Sequence, residues 1–372
     1  MTPPRILILM VQHGASHRRA AAALRKGLLE AEPGLTVEIL DGLARCARWF
    51  RAYYNSYLLP LKYWPSLWGW IEGLQHASSA TGSSWLYRRG GKPLFRDLET
   101  FAPDIVVATE VGMCELAAQF KRQSRARFCL VGSPTGVDVD RAWAQPEVDL
   151  FIAAPREAAE QLAAAGVPAA KVVACGPPVD PAFHCCPDRD AVRARLNLRR
   201  DAPLVLLLFG GSGFGEVRRI LPQLKKLPQP FEAACIAGNN PGLERELRRQ
   251  LNGHPQFHVF GWVDNLHEWM AAADLLVSKP GASTFIEAIN SGLPLLAFDP
   301  LPGNERRACD LIERWQIGRW AKSPQELGAA LEHWLAHPEE LCRLRENAIA
   351  LARPSAAHDA AVAILERWAS GI

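Results

Sequence analysis

Long apolar runs are missing from this chain: no stretch of its 372 residues approaches the roughly 20 consecutive apolar positions that a membrane-spanning helix needs. The nine cysteines, at 46, 114, 129, 175, 185, 186, 235, 309 and 342, contain no C-x-x-C and no His/Cys spacing of a zinc site. They read as buried thiols in a reducing compartment rather than as a disulfide framework. The first apolar segment, Arg5 to Val11, is too short to be the core of a cleaved signal peptide. No nucleic-acid-binding module, short internal repeat or low-complexity tract is recognisable. These absences exclude a membrane span and a metal-stapled or disulfide-stapled mini-domain. They lead us to expect a cytoplasmic protein, peripheral on the inner face of a membrane.

What is present is enough apolar sequence for two cores: 49% of residues are hydrophobic and 22% charged. The net charge of +3 hides an asymmetry, because residues 1–127 carry 17 Lys and Arg against 10 Asp and Glu, whereas residues 191–372 carry 21 against 20. A basic first half favours an anionic surface as partner, membrane phospholipid before nucleic acid. Apolar strand-like runs alternate with helical patterns from end to end, which is the grammar of parallel sheets covered by helices on both faces. The expected fold class is therefore α/β, with two Rossmann-like domains in tandem. The first spans 1–185, with strands near 5–11, 36–40, 104–109, 127–131, 148–152 and 171–174. A polar stretch at 186–202 reads as a linker. The second domain spans 203–352, with strands near 203–209, 231–237, 256–260, 274–277 and 294–298, and residues 353–372 form a last helix expected to pack back on the first domain. Ligand sites in such sheets lie at the carboxyl ends of strands, so two facing domains would share one cleft.

The segment Ser278-Lys-Pro-Gly-Ala-Ser-Thr-Phe-Ile-Glu287 reads as strand end, tight turn and helix. Small residues at Gly281, Ala282, Ser283 and Thr284 let phosphates approach backbone N–H groups at the positive end of that helix. Glu287 follows about one turn later, where a carboxylate suits the two hydroxyls of a ribose. A second glycine-rich turn, Phe209 to Glu216, could cradle phosphate as well. It fails the G-x-G-x-x-G pattern, since Glu216 stands where the third glycine belongs, and a dehydrogenase reading falls with it. Gln12-His-Gly-Ala-Ser-His17 joins the first strand to an alanine-rich helix. His17 sits in its first turn, where the helix dipole disfavours imidazolium and leaves a neutral ring able to act as general base. His13 reads as a capping or solvated loop residue. The short D-x-D of Val137-Asp-Val-Asp140 is expected to be a surface loop rather than a metal site. Nine aromatic residues crowd Trp49 to Trp70 beside Arg51 and Lys62. They suit either a membrane headgroup zone, with Trp64, Trp68 and Trp70 as contacts, or a large aromatic core under a loop.

Several of these segments stand in an order and spacing that resemble the monogalactosyldiacylglycerol synthase and processive diacylglycerol glucosyltransferase family. They are His17 with its glycine turn, Gly91-Lys-Pro-Leu-Phe-Arg96 before Ala102-Pro-Asp-Ile-Val106, Gly210-Gly-Ser-Gly213 and Ala237-Gly-Asn239. They continue with Gly261-Trp-Val-Asp-Asn-Leu-His-Glu-Trp-Met270, Lys279 to Thr284 with Glu287, Gly292-Leu-Pro294 and Gly303-Asn-Glu305. The resemblance implies the GT-B fold and an inverting, metal-free transfer of a hexose from a UDP-sugar to a lipid hydroxyl, that of diacylglycerol, with no cofactor. Position by position it implies diphosphate contacts from Gly211, Ser212, Gly281, Ala282 and Ser283. Trp262, Val263 and Leu266 would bracket the uracil, Glu287 the ribose, Asn304 and Glu305 the sugar hydroxyls, and His17 would be the base. The chain departs from the family at Gly14-Ala-Ser16, where three glycines are usual, along Pro134 to Trp143, and at Asn304, where Gln is more common. Two alternatives stand beside this reading: a polyprenyl-linked or other amphipathic acceptor, and a nucleotide-sugar binder without catalysis.

Overall fold

The computed structural model describes residues 3–12, 15–56, 84–124, 126–153, 156–184, 188–208 and 217–371. Expectations for His13, Trp64, Trp68, Trp70, Gly211 and Ser212 fall outside these residues. The chain divides into two compact units, one of residues 1–180 with 355–372 and one of residues 181–354.

The first unit is built on a six-stranded sheet of β1 (Arg5–Met10), β2 (Thr36–Asp41), β3 (Ile105–Ala108), β4 (Cys129–Gly132), β5 (Leu150–Ile152) and β6 (Val172–Val173), in spatial order β2-β1-β3-β4-β5-β6. The second holds β7 (Leu204–Leu208), β8 (Glu232–Ile236), β9 (Phe257–Phe260), β10 (Leu275–Ser278), β11 (Leu295–Phe298) and β12 (Gly318–Ala321), in order β12-β11-β10-β7-β8-β9. Every pairing is parallel. Helices cover both faces, which is why β1, β3, β4, β7 and β10 are apolar at nearly every position and almost wholly buried. β12 was not anticipated. It is a four-residue edge strand with Arg319 exposed, and so lacks the apolar run that marks a central strand.

Register at the strand starts is held by one device used three times. The side chain of Asp104 accepts the N–H of Arg5 at 2.8 Å while its own N–H donates to the Arg5 carbonyl at 2.9 Å. Asp149 does the same with Leu130, at 2.8 Å in both directions. Asp274 does it with Leu204, at 2.7 and 2.9 Å. The N–H at the start of a parallel strand has no ladder partner, and each aspartate supplies one.

Asp274 also anchors the stretch expected as a linker. The guanidinium of Arg193, 4% exposed, donates to Asp274 at 2.7 Å and to the carbonyls of Ala272, Arg199, Arg200 and Ala202, while Arg189 pairs with the other Asp274 oxygen. From Asp188 onward this segment, including helix Arg189–Arg195, is therefore part of the second unit rather than a tether. The last helix, Ala356–Ala369, lies against helix Ser16–Ala31. At their closest approach the Ala357 carbonyl leaves no room for a Cβ at Gly27.

Most described cysteines are buried, and desolvation pushes the thiols of Cys46, Cys129 and Cys235 up to about 12, so they are neutral and unreactive at physiological pH. Cys342 departs from the expectation and is exposed.

Candidate functional site

In an open parallel sheet the ligand crevice forms where the strand order reverses. In the first unit that point lies between β1 and β3; in the second it lies between β7 and β10.

His17 stands at the first reversal. It is the second residue of helix Ser16–Ala31, whose start has no side-chain cap. Its Nδ1 lies 2.8 Å from the carbonyl of Thr109, which directly follows β3, and 3.4 Å from Oγ1 of Thr135. A carbonyl can only accept, so in the neutral ring Nδ1 carries the proton and the lone pair lies on Nε2. Thr109 is itself fixed to the end of β1: its N–H donates to Leu9 at 3.0 Å and its hydroxyl to the same carbonyl at 3.3 Å. The sequence picked out the histidine. It did not indicate Thr109, because a backbone carbonyl has no residue signature; the switch-point rule applied to β3 was the available signal.

The D-x-D loop differs from its expectation. Val137, Asp138 and Val139 are buried, and the N–H of Val139 donates to Gln161 at 2.6 Å, so the loop is enclosed rather than on the surface. Among the described residues no three His, Cys, Asp or Glu side chains come together as a metal site.

At the second reversal, β10 ends in Ser278, whose hydroxyl donates to the Leu208 carbonyl at the end of β7 at 3.0 Å. The turn Lys279-Pro280-Gly281 leads into helix Ala282–Asn290, which also starts without a side-chain cap. Its first N–H groups, at Ala282, Ser283 and Thr284, have no partner within the helix, and the residues around them are small. Glu287 lies in the same helix, 2% exposed. Beside the helix start, the ammonium of Lys279 is 2.9 Å from Oε1 of Glu305, both side chains 14% exposed. Oε2 of Glu305 accepts the N–H of Leu301 at 2.7 Å. Glu305 is thus brought next to Gly281, at which a Cβ would stand 3.7 Å from its carboxylate. Gly303, at φ 81, makes the left-handed turn that starts helix Asn304–Arg314 and delivers Asn304 and Glu305. Lys279 had no role in the sequence reading beyond its place in the motif; the structure adds it as the cation at this helix start. Trp262, beyond β9, is exposed, with Nε1 donating to Asp264 at 2.7 Å; Val263 is half-buried and Leu266 buried.

The aromatic segment divides by face. On helix Arg48–Asn55, Phe50 and Tyr54 point inward and pack with Tyr87 at ring distances of 5.1 and 6.5 Å. Trp49 and Tyr53 are exposed, as is Trp85 on helix Ser84–Gly90, with Arg89 over its ring at 5.6 Å. Trp85 lay beyond the segment the sequence singled out.

Comparison with known proteins identifies a domain in each half of the chain. Residues 17–179 match the monogalactosyldiacylglycerol (MGDG) synthase domain, and residues 205–306 match the glycosyltransferase family 28 C-terminal domain. The chain thus joins a monogalactosyldiacylglycerol synthase domain to a glycosyltransferase family 28 C-terminal domain. It is 27% identical to a probable chloroplastic monogalactosyldiacylglycerol synthase of Glycine max, over 95% of this chain and 69% of that one. It is 24% identical to a processive diacylglycerol beta-glucosyltransferase of Bacillus thuringiensis, over 98% and 94%. Among solved structures, MurG of Acinetobacter baumannii superposes with TM-score 0.65 at 13% identity, covering 98% of this chain and all of that one. HepE of Anabaena, solved with UDP and glucose, superposes with TM-score 0.58 at 17% identity, covering 99% and 98%. At such identities the structures establish the fold, two doubly wound parallel sheets of the GT-B type, and the two matched domains supply the reaction class: this is a glycosyltransferase.

Proposed function

We propose that this glycosyltransferase moves a hexose from a UDP-sugar to the free hydroxyl of diacylglycerol, with inversion at the anomeric carbon. The observation that carries the reading is the histidine at the first switch point, oriented through Nδ1 so that its basic lone pair is on Nε2. In a single displacement His17 takes the proton of the acceptor hydroxyl as that oxygen attacks the sugar. The bond to the diphosphate breaks, and UDP leaves toward the start of helix Ala282–Asn290. Oriented N–H groups and the Lys279 ammonium receive its charge there without reorganising. Glu287 takes the ribose, Trp262, Val263 and Leu266 the uracil, Gly211 and Ser212 join the helix start on the diphosphate, and Asn304 with Glu305 hold the hexose. The diphosphate is held by backbone and lysine, so neither a metal nor another cofactor is required. Diacylglycerol as acceptor and UDP-hexose as donor are supported by the diacylglycerol glycosyltransferases and the UDP-bound neighbour above.

The acceptor is reached from the membrane. Exposed Trp49, Tyr53 and Trp85 beside Arg48, Arg51, Arg88 and Arg89 give the first unit a face suited to an anionic headgroup layer, and a peripheral position on the inner leaflet follows. The deciding experiment supplies UDP-glucose or UDP-galactose with vesicles of diacylglycerol and acidic phospholipid, and reads the lipid product by mass spectrometry and its anomeric configuration by NMR. A β-linked hexosyl-diacylglycerol formed in the presence of EDTA is the expected product. An α-linked product, or a strict need for Mg2+, sinks the mechanism; transfer only to a polyprenyl-linked alcohol moves the acceptor assignment.

A further inference from the structure

The half-buried, inward-facing Tyr54 of the aromatic helix is joined to the proposed base by a short chain of contacts. Thr109, whose carbonyl accepts from His17, and Glu110 share one peptide plane, so the backbone setting of Glu110 orients that carbonyl. Glu110 is 9% exposed and doubly held: Oε2 accepts the N–H of Met113, capping helix Val111–Ser124 at 3.0 Å, and Oε1 accepts the hydroxyl of Tyr54 at 2.6 Å. The Tyr54 ring lies on Gly112, where any Cβ would collide with it, and so glycine is required there by close approach. Tyr54 sits on helix Arg48–Asn55 beside Phe50, one residue from the exposed Tyr53. The seating of this helix and the orientation of the histidine therefore meet in a single dipeptide.

We propose that Tyr54 is a positioning residue for His17, acting through the Thr109–Glu110 peptide, and that it links the seating of the lipid-facing helix to the state of the base. The inference rests on His17 being that base. Removing the Tyr54 hydroxyl frees one oxygen of Glu110, loosens the peptide plane, and lets the imidazole populate the tautomer with its proton on Nε2, which cannot accept from the acceptor hydroxyl there.

The test uses the full chain with 15N-labelled histidine, assigning the His17 ring by its loss in His17→Ala, and compares Tyr54→Phe and Gly112→Ala with the parent. Tyr54→Phe keeps the ring and is expected to fold as the parent does, by circular dichroism. Its kcat on vesicle-borne acceptor should fall on the order of tenfold, a fraction of what a positioned base contributes. KM for the UDP-sugar should stay unchanged, and long-range 1H–15N correlations should move the ring from Nδ1–H toward a mixture. Gly112→Ala, which displaces the ring, should move both readouts further in the same direction. An unchanged tautomer in both variants overturns the link, whatever the rate does. A shifted tautomer with parental kcat keeps the link and instead removes His17 as the base, so the two readings fail separately.

Discussion

At the reversal in its first sheet the chain presents an imidazole; at the reversal in the second it presents the start of a helix. The scaffolds beneath are alike, with parallel strands buried on both faces and reciprocal aspartate clamps at Asp104, Asp149 and Asp274. Under the proposed mechanism, the difference follows from the task each reversal has in transfer. Moving a proton needs a side chain with a titratable lone pair in a fixed tautomer, which Thr109 provides for His17. Receiving a diphosphate needs dipoles that are already oriented, and those come from backbone N–H groups with one lysine. The proposed site thus lies where the common plan is varied, at the carboxyl ends, while the amino ends repeat one structural solution.

The likeness at the amino ends can be broken first. Asp274 holds a nearly buried guanidinium as well as the Leu204 N–H, whereas Asp104 holds only the N–H of an exposed Arg5. Asp274→Ala should destabilise the second unit by about 3 kcal/mol, because Arg193 keeps its charge and loses its carboxylate. Asp104→Ala should cost the first unit about 1 kcal/mol, the worth of an ordinary hydrogen bond. Denaturant unfolding followed by a fluorescence probe in each unit reads both values; equal losses would mean the arginine cluster adds nothing to the clamp.

The contrast at the carboxyl ends comes next. His17→Ala should lower kcat roughly 100-fold or more, about 2.7 kcal/mol, with UDP affinity nearly unchanged, and His13→Ala serves as control. Near-parental turnover in His17→Ala, or a greater loss at His13, removes the assignment. In the other unit Glu287→Gln keeps the volume of a side chain that is 2% exposed and removes its charge. It should weaken UDP binding by about 1 to 2 kcal/mol by calorimetry while leaving the chemical step of bound donor intact, and EDTA should change neither quantity. A variant of one unit that produces the defect of the other would show that the division of labour is wrong.

How much of this was legible in the sequence depends on what each feature is made of. Central strands such as β1, β3, β4, β7 and β10, buried on both faces, are continuous apolar runs and could be read directly; the edge strands β2, β6 and β9 kept enough apolar residues to be found, while the edge strand β12, with Arg319 exposed, did not. The helix start at Gly281 was visible as a cluster of small residues after a strand. The Lys279–Glu305 pair was not, since it joins the loops after two neighbouring strands and only tertiary structure sets them side by side. Residues 186–202 read as a linker because they are polar and irregular in pattern; the buried hydrogen bonds of Arg193 leave no mark in composition. The enclosed loop at Asp138 misled for the same reason: its charge suggested exposure, and its surroundings are non-local.

The smallest expected effect on stability belongs to the outer face of the aromatic helix, and there the contrast is between two sides of one element. Phe50 and Tyr54 face the core, and Phe50 is wholly buried; Trp49, Tyr53 and the neighbouring Trp85 are 44%, 41% and 50% exposed. Replacing the outer three together by Ser should change folding stability by no more than about 0.5 kcal/mol per site, as surface substitutions do. Exposed rings of this size next to arginines suit the headgroup layer of an anionic bilayer. The same variant should therefore sediment less with vesicles of acidic lipid and lose activity on vesicle-borne acceptor, while UDP binding by the second unit stays at the parental value. Binding by the parent should weaken with added salt, since each basic side chain near an anionic surface contributes about 1 kcal/mol that counter-ions screen. Tyr54→Phe, on the inner side of the helix, should leave sedimentation unchanged and alter only the chemical step. If the outer variant binds vesicles as tightly as the parent and Trp64, Trp68 and Trp70 replaced by Ser abolish binding, the docking surface lies with those three residues. If neither variant weakens it, the aromatic face is not the membrane contact.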